Sequence, residues 1–218
     1  MRDTPAMPDP SPPRPEPPTA VVFDLGGVLI DWNPRHLYRS LFDDEVEMER
    51  FLAEVTTQAW NHEQDRGRPF AQAIAELTRD HPEQAQLIEA YWDRWPEMLG
   101  EPFHETVKIL AALRASGVRL LALTNWSAET FPVAMPRYPF LDWFEAVIVS
   151  GEVELVKPDP AIFRLLVDRH GLEPSRTVLI DDTIANVQAA AALGFRAIRF
   201  TDAAALRRDL SAMGLLEG

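Results

Sequence analysis

The reading of the fold starts from Ala20-Val21-Val22-Phe23-Asp24-Leu25-Gly26-Gly27-Val28. A short apolar run that stops at an aspartate and a glycine pair predicts a buried strand over Ala20 to Asp24, followed by a tight turn. From Thr106 onward helices and strands alternate. A helix ends at Gly117, strand Val118 to Leu123 follows, and the next helix begins near Ser127. Strand Ala146 to Val149 leads through a loop holding Lys157 to a helix from Asp159-Pro160 that stops at Gly171. Strand Thr177 to Ile180 precedes a helix ending at Gly194, and strand Arg196 to Phe200 precedes a last helix. This order, with glycine after the helix ends, predicts an α/β fold whose parallel sheet is covered by helices on both faces.

Residues 31 to 104 break the rhythm and read as helices only. Asn33-Pro34, Asp43-Asp44, Arg68-Pro69 and His81-Pro82 each supply a helix start, with proline suited to the first turn. Apolar spacings such as Phe70, Ile74 and Leu77, then Leu87, Tyr91 and Trp95, support them. The expected organisation is a core of residues 20–30 and 105–218 with a helical cap, 31–104, inserted after the first strand. The stretch before it, 1–19, holds eight of the nineteen prolines and reads as a disordered or polyproline tail. A proline-motif ligand for some partner is the second reading of that tail.

Composition narrows the function. Lysine and arginine total 21 against 34 acidic residues, and a net charge of −13 disfavours nucleic acid or an anionic membrane as partner. No run of eighteen apolar residues is present, and the first residues lack the apolar core of a signal peptide. With no cysteine there is no disulfide, thiolate metal site or cysteine nucleophile, which is compatible with a cytoplasmic setting.

In a parallel sheet, ligands bind beyond the carboxyl ends of the strands. Asp24, Thr124 with Asn125, and Asp181-Asp182 each follow the apolar residues of a strand, and Lys157 lies in a strand-to-helix connection, so all are expected at one edge. Each has an ordinary reading of its own: a turn aspartate, helix caps at Thr124-Asn125 and Asp181-Asp182, a solvated lysine. Together they form a chemical set. A carboxylate at a strand tip serves as a nucleophile, and adjacent carboxylates repel unless a cation or hydrogen bonds intervene. Asp24, Asp181 and Asp182 offer the all-oxygen ligands that suit Mg²⁺. Gly26-Gly27 permits close backbone approach to a ligand, or serves only the turn.

The ordered segments Phe23-Asp24-Leu25-Gly26-Gly27-Val28, Leu123-Thr124-Asn125, Lys157-Pro158 and Ile180-Asp181-Asp182-Thr183 with Asn186 resemble the haloacid dehalogenase superfamily, over roughly residues 20 to 205. The resemblance implies a Rossmann-like core and phosphoryl transfer through an aspartyl intermediate. It makes Asp24 the nucleophile, Thr124 a phosphate-holding hydroxyl and Lys157 the cation that offsets nucleophile and phosphate. Asp24, Asp182 and the Gly26 carbonyl become metal ligands, Asp181 a direct or water-mediated one, and Asn186 a support for that loop. Phe23-Asp24-Leu25-Gly26 and Trp60-Asn61-His62-Glu63-Gln64-Asp65-Arg66-Gly67 look like the bacterial glucose-1-phosphate phosphatase branch.

One residue departs from the superfamily's phosphatases, which carry a second Asp where this chain has Gly26. A phosphate monoester expels an alkoxide that leaves poorly without a proton, and general acid catalysis is commonly worth about 10²–10⁴-fold. His62, Glu63, His36 and Arg66 are the cap candidates for filling the gap, with His62 and Arg66 also placed against the substrate; a bound water or a good leaving group are the other solutions. Trp32, Trp60 and Trp126 are expected near the rim, where they stack on an organic group or pack the core. The favoured substrate is a small phosphorylated metabolite, a sugar phosphate above others. The alternatives are 2-haloacid dehalogenation, which needs no proton for halide but would face repulsion from Asp181-Asp182, and a non-catalytic phosphate- or partner-binding role.

Overall fold

A computed structural model describes residues 16–217. Five strands, β1 (Ala20–Phe23), β4 (Arg119–Thr124), β5 (Ala146–Val149), β6 (Thr177–Asp181) and β7 (Arg196–Arg199), form a sheet in the order β5-β4-β1-β6-β7. Every neighbouring pair is parallel. β1 is fully buried because it is the middle strand and both of its faces are covered. Val21 and Phe23 point into one apolar layer with Ile109, Leu113 and Leu210, while Ala20 and Val22 point into another with Phe163 and Leu166. This is the α/β architecture expected from the alternation of strands and helices.

The inserted residues fold into α1 (Arg35–Tyr38), α2 (Glu45–Glu54), α3 (Gln58–Asp65), α4 (Phe70–Asp80) and α5 (Ala85–Asp93). Asp44 caps α2 by accepting from the Val46 amide, and the Asn33 side chain accepts from Arg35 at 3.0 Å, as helix-start chemistry predicts. Two features depart from the expectation of helices started at four sites only. α3 is an additional helix, capped by Thr57 through the Trp60 amide at 3.0 Å. The insert is also tied off by a two-stranded antiparallel ribbon, β2 (Ile30–Trp32) with β3 (Leu99–Pro102). The ribbon satisfies the backbone where the chain leaves and re-enters the core. The insert shares the apolar layer on one side of the sheet: Tyr38, Phe51, Phe70, Tyr91 and Trp95 are continuous with Phe23 and Leu110.

The remaining helices are α6 (His104–Ala115), α7 (Phe131–Ala134), α8 (Ser150–Val153), α9 (Pro160–His170), α10 (Ile184–Ala192) and α11 (Ala203–Ala212). α9 starts at Asp159, which accepts from Ala161, and ends at Gly171 with φ +59°, as read from the sequence. The helix expected near Ser127 starts later. Ser127 Oγ accepts from the Glu129 amide at 3.2 Å in a turn, and α7 is short, followed by a proline-led turn at Met135–Arg137. The tail assigned to 1–19 also ends earlier. The Thr19 amide donates to Arg176 O at 2.8 Å and Arg176 pairs with Glu16 at 3.1 Å, so residues 16–19 lie along the base of the sheet. The disorder and partner readings of residues 1–15 fall outside the described residues. Among the described residues no helix is long and apolar enough to cross a membrane.

α8 packs so closely on the loop after β4 that a Cβ at Gly151 would lie 2.5 Å from the Ala128 nitrogen and 2.9 Å from the Trp126 oxygen. These are backbone atoms, which cannot rotate away. Overpacking of this kind costs about 1–3 kcal/mol. Gly151→Ala is therefore expected to lower the urea midpoint by that amount of stability; an unchanged midpoint would show that the loop yields freely.

Candidate active site

Parallel register decides which side chains meet. Phe23 pairs with Ala122 on one side and Ile180 on the other, so the next residues, Asp24, Leu123 and Asp181, stand at one level. The Asp24 amide donates to Ile180 O at 2.9 Å, extending the ladder by one residue and fixing the backbone at Asp24. The connection after β5 returns to this edge and delivers Lys157 between the two carboxylates. Its Nζ lies 2.9 Å from Asp24 Oδ2 and 2.6 Å from Asp181 Oδ2. Lys157 is 1% exposed, so the ammonium is held by these carboxylates rather than by water.

Each member has its own support. The Asp24 carboxylate accepts from the Leu25 amide at 2.7 Å, which aims it along the strand edge. Asp181 accepts from the Thr183 amide at 2.9 Å and from Asn186 Nδ2 at 2.9 and 3.1 Å, so Asn186 steadies the loop after β6. Asn125 clamps the lysine backbone in both directions, accepting from Lys157 N at 2.8 Å and donating to Lys157 O at 2.9 Å. The Asn125 amide, placed by the sequence at the edge with Thr124 and expected against the substrate, is thus engaged in positioning Lys157. Thr124 is buried at the tip of β4, beside this loop. Gly27 has φ +74°, and a Cβ there would collide with the Asp182 carboxylate; its amide is already bonded to Ile30 O at 3.0 Å. The positive φ is what favours glycine at 27, since the Asp182 side chain could turn aside.

Asp182, exposed at the sheet edge, completes a group with Asp24 and Asp181 in which one oxygen from each lies within 4.8 Å of the others. Burial raises the Asp24 carboxyl to about 7, against the pull of Lys157, while Asp181 pushes it further up. Asp182 is raised by burial and then by Asp181. Burial opposes the charge on Lys157, yet Asp24 and Asp181 outweigh it and raise the ammonium above its usual value. One ammonium faces three carboxylates, and the two it cannot neutralise are the negative charge a hard divalent cation would take up. The donor set therefore fits Mg²⁺.

Gly26 has nothing within 4 Å of the position a Cβ would take. It lines a cavity of about 70 Å³ beside Asn125 and Trp126 on the core and Asn61, Asp65 and Trp95 from the insert. Trp32 and Trp126 reach this cavity as expected for rim aromatics, whereas Trp60 packs edge-on against Tyr91 inside the insert. His62 and Arg66 do not line it. His62 follows Asn61 by one residue on α3, a rotation of about 100° that carries it off the cavity side, and Arg66, just past the end of α3, is exposed. His36 is bonded to Asp31 Oδ2 at 2.9 Å, and Glu63 is exposed. The carboxyl that does face the cavity is Asp65, which the sequence reading did not single out.

Asp65 Oδ2 accepts from Asn61 Nδ2 at 3.2 Å, and Asn61 Oδ1 accepts from Tyr91 OH at 2.8 Å. The backbone at Asp65 is pinned to the core, since Ser150 Oγ donates to Asp65 O at 2.5 Å. Burial raises the Asp65 carboxyl to about 7, with the Asp24 charge adding to the effect and the Ser127 amide opposing it.

A family model for haloacid dehalogenase-like hydrolases matches residues 18–194. Among curated proteins, the sesquiterpene phosphatase astK of Aspergillus oryzae is 25% identical over 195 residues, spanning 88% of this chain and 94% of that one. The phosphoglycolate phosphatase of Thiobacillus denitrificans is 28% identical over 198 residues, 83% and 82% of the two chains. A haloacid dehalogenase family enzyme from Bacteroides thetaiotaomicron, solved with magnesium and inorganic phosphate, superposes with a TM-score of 0.63 at 22% identity, covering 86% of this chain and 98% of that one. The order of its strands, the residues they bring to one edge and the family match together establish that this chain belongs to the haloacid dehalogenase-like hydrolases.

Proposed function

We propose that the protein is a Mg²⁺-dependent phosphomonoester hydrolase that acts on a small phosphorylated metabolite through a phosphoaspartate at Asp24. The observation that carries this reading is the contact of Lys157 with both Asp24 and Asp181, with Asp182 completing a three-carboxylate group beside them. That arrangement suits an anionic substrate in the presence of a divalent cation. It suits a haloacid poorly, because dehalogenation offers no role for Asp182 and the carboxylates would repel the substrate.

In the proposed reaction Lys157 offsets the charge on Asp24 and on the incoming phosphoryl group, and Thr124 with the loop amides after β4 orients that group. Asp24 attacks phosphorus in line, the ester oxygen departs, and water then cleaves the acyl phosphate to regenerate Asp24. Asp24, Asp182 and the Gly26 carbonyl, with Asp181 directly or through water, would hold Mg²⁺, which when bound supplies charge neutralisation at the phosphoryl oxygens. Residues 31–104 act as the cap and Gly26, Asn125 and the cavity residues set the substrate. Sugar phosphates are favoured, consistent with the likeness of the Phe23–Gly26 and Trp60–Gly67 stretches to glucose-1-phosphate phosphatases.

Phosphate release from a panel of sugar 1-phosphates, sugar 6-phosphates and acyl phosphates is expected with Mg²⁺ and lost with chelator; release that persists after chelation would remove the metal from the scheme. Asp24→Asn is expected to lower kcat on any substrate found by at least about 10⁴-fold, the scale seen when a nucleophile is removed. A variant that retained turnover would assign the covalent step elsewhere.

A further inference from the structure

The core edge contributes no carboxyl on the Gly26 side, and the open space there borders Asp65. We propose that Asp65 is a catalytic residue, supplied by the insert, that gives the leaving oxygen its proton and later takes one from the attacking water. This rests on the phosphatase reading above. Three observations place it there. Asp65 and Gly26 line the same cavity, whose walls include Trp32, Trp95 and Trp126 and so limit competing water. Asn61, locked by Tyr91, donates to Oδ2, and among the described residues no other side chain donates to this carboxyl, whose residue lines the cavity. Among the described residues no lysine or arginine pairs with Asp65, whereas Lys157, the cation beside the nucleophile, is held by Asp24 and Asp181.

The chemistry balances. As an Asp24 oxygen bonds phosphorus, the phosphorus–oxygen ester bond breaks, its electron pair goes to the ester oxygen, and the Asp65 proton moves onto that oxygen to release a neutral alcohol. A water oxygen then bonds phosphorus, the Asp24–phosphorus bond breaks, and the water's proton returns to the Asp65 carboxylate. Both transfers require the acid to be protonated before attack and ionised after it. The burial that raises Asp65 comes first from the packing of α3 against the core, and the neighbouring Asp24 charge adds to it. The arrangement also explains how the chain manages with glycine at 26: the carboxyl comes from the insert instead, across open space. The insert, packed on the core, thus completes the cavity and brings the proton donor to it on α3.

The test is the dependence of phosphoenzyme formation on the leaving group, measured with Mg²⁺ by stopped flow and rapid quench across alkyl and aryl phosphates of differing alcohol pKa. Asp65→Asn keeps the size and the bond to Asn61 in reach but has no proton to give. It is expected to slow alkyl phosphates by about 10²–10⁴-fold while slowing p-nitrophenyl phosphate far less, so that the plot of log rate against alcohol pKa becomes steeper than in the wild type. Adding Gly26→Asp to Asp65→Asn is expected to restore the shallow slope, since the position has room for the side chain. A wild-type slope in a folded Asp65→Asn variant, or equal slowing of alkyl and aryl substrates, would overturn the proposal. Absence of phosphoenzyme from the wild type itself would instead overturn the phosphatase reading on which it rests.

Discussion

The ammonium of Lys157, enclosed between Asp24 and Asp181, sets the terms for everything around it. A buried charge is tolerated only when paired and hydrogen-bonded, and removing one partner of such a group costs about 3–5 kcal/mol. The protein meets this requirement twice over: with carboxylates at 2.9 and 2.6 Å, and with the Asn125 clamp that fixes the lysine's backbone. The arrangement is not neutral. With Asp182 included, three carboxylates stand against one ammonium, and the excess negative charge suits the edge to a divalent cation. In a molecule that carries −13 overall, Lys157 is a local positive focus set among carboxylates.

The fold supplies the coincidence of these groups at low cost because parallel strands end at the same level. Asp24 follows β1 and Asp181 ends β6, so one register brings both to the edge, and the loop after β5 needs only to cross β4 to add Lys157. The insert adds what the core lacks. Its aromatic core is continuous with the apolar layer beneath the sheet, and Asp65 reaches the Gly26 side through bonds from Asn61 and Ser150. The edge holds the charged groups while α3 faces the cavity beside Gly26.

Much of this is written in local chemistry. β1, β5 and β6 are apolar runs closed by turns or carboxylates, and the starts of α2 and α9 are marked by Asp44 and Asp159. Those signals act within a few residues, so they survive without knowledge of the fold. α3 escaped because Gln58–Asp65 carries almost no apolar stripe and its buried residue is Gln64, whose amide donates to Trp60 O at 2.8 Å. β2 and β3 escaped because each is three or four residues long, with Gly100 and Pro102 in the second, and pairs across the whole insert. Asp65 is not legible at this range either. Nothing in Gln64-Asp65-Arg66 distinguishes a solvated carboxylate from an enclosed one, and its surroundings are set by Trp126 and Ser150, far away in the chain. His62 attracted attention by residue type, yet the helical period turns it away from the cavity that its neighbour Asn61 lines.

The central claim is that Asp24 forms the bond to phosphorus. The most direct measurement is a millisecond acid quench of the protein with Mg²⁺ and a turned-over phosphate ester, followed by peptide mass spectrometry. The account predicts one phosphoryl group, on the peptide containing Asp24, present during turnover and gone after substrate is exhausted. Phosphate release with no labelled peptide under conditions that preserve acyl phosphates, or a label on another residue, would contradict it.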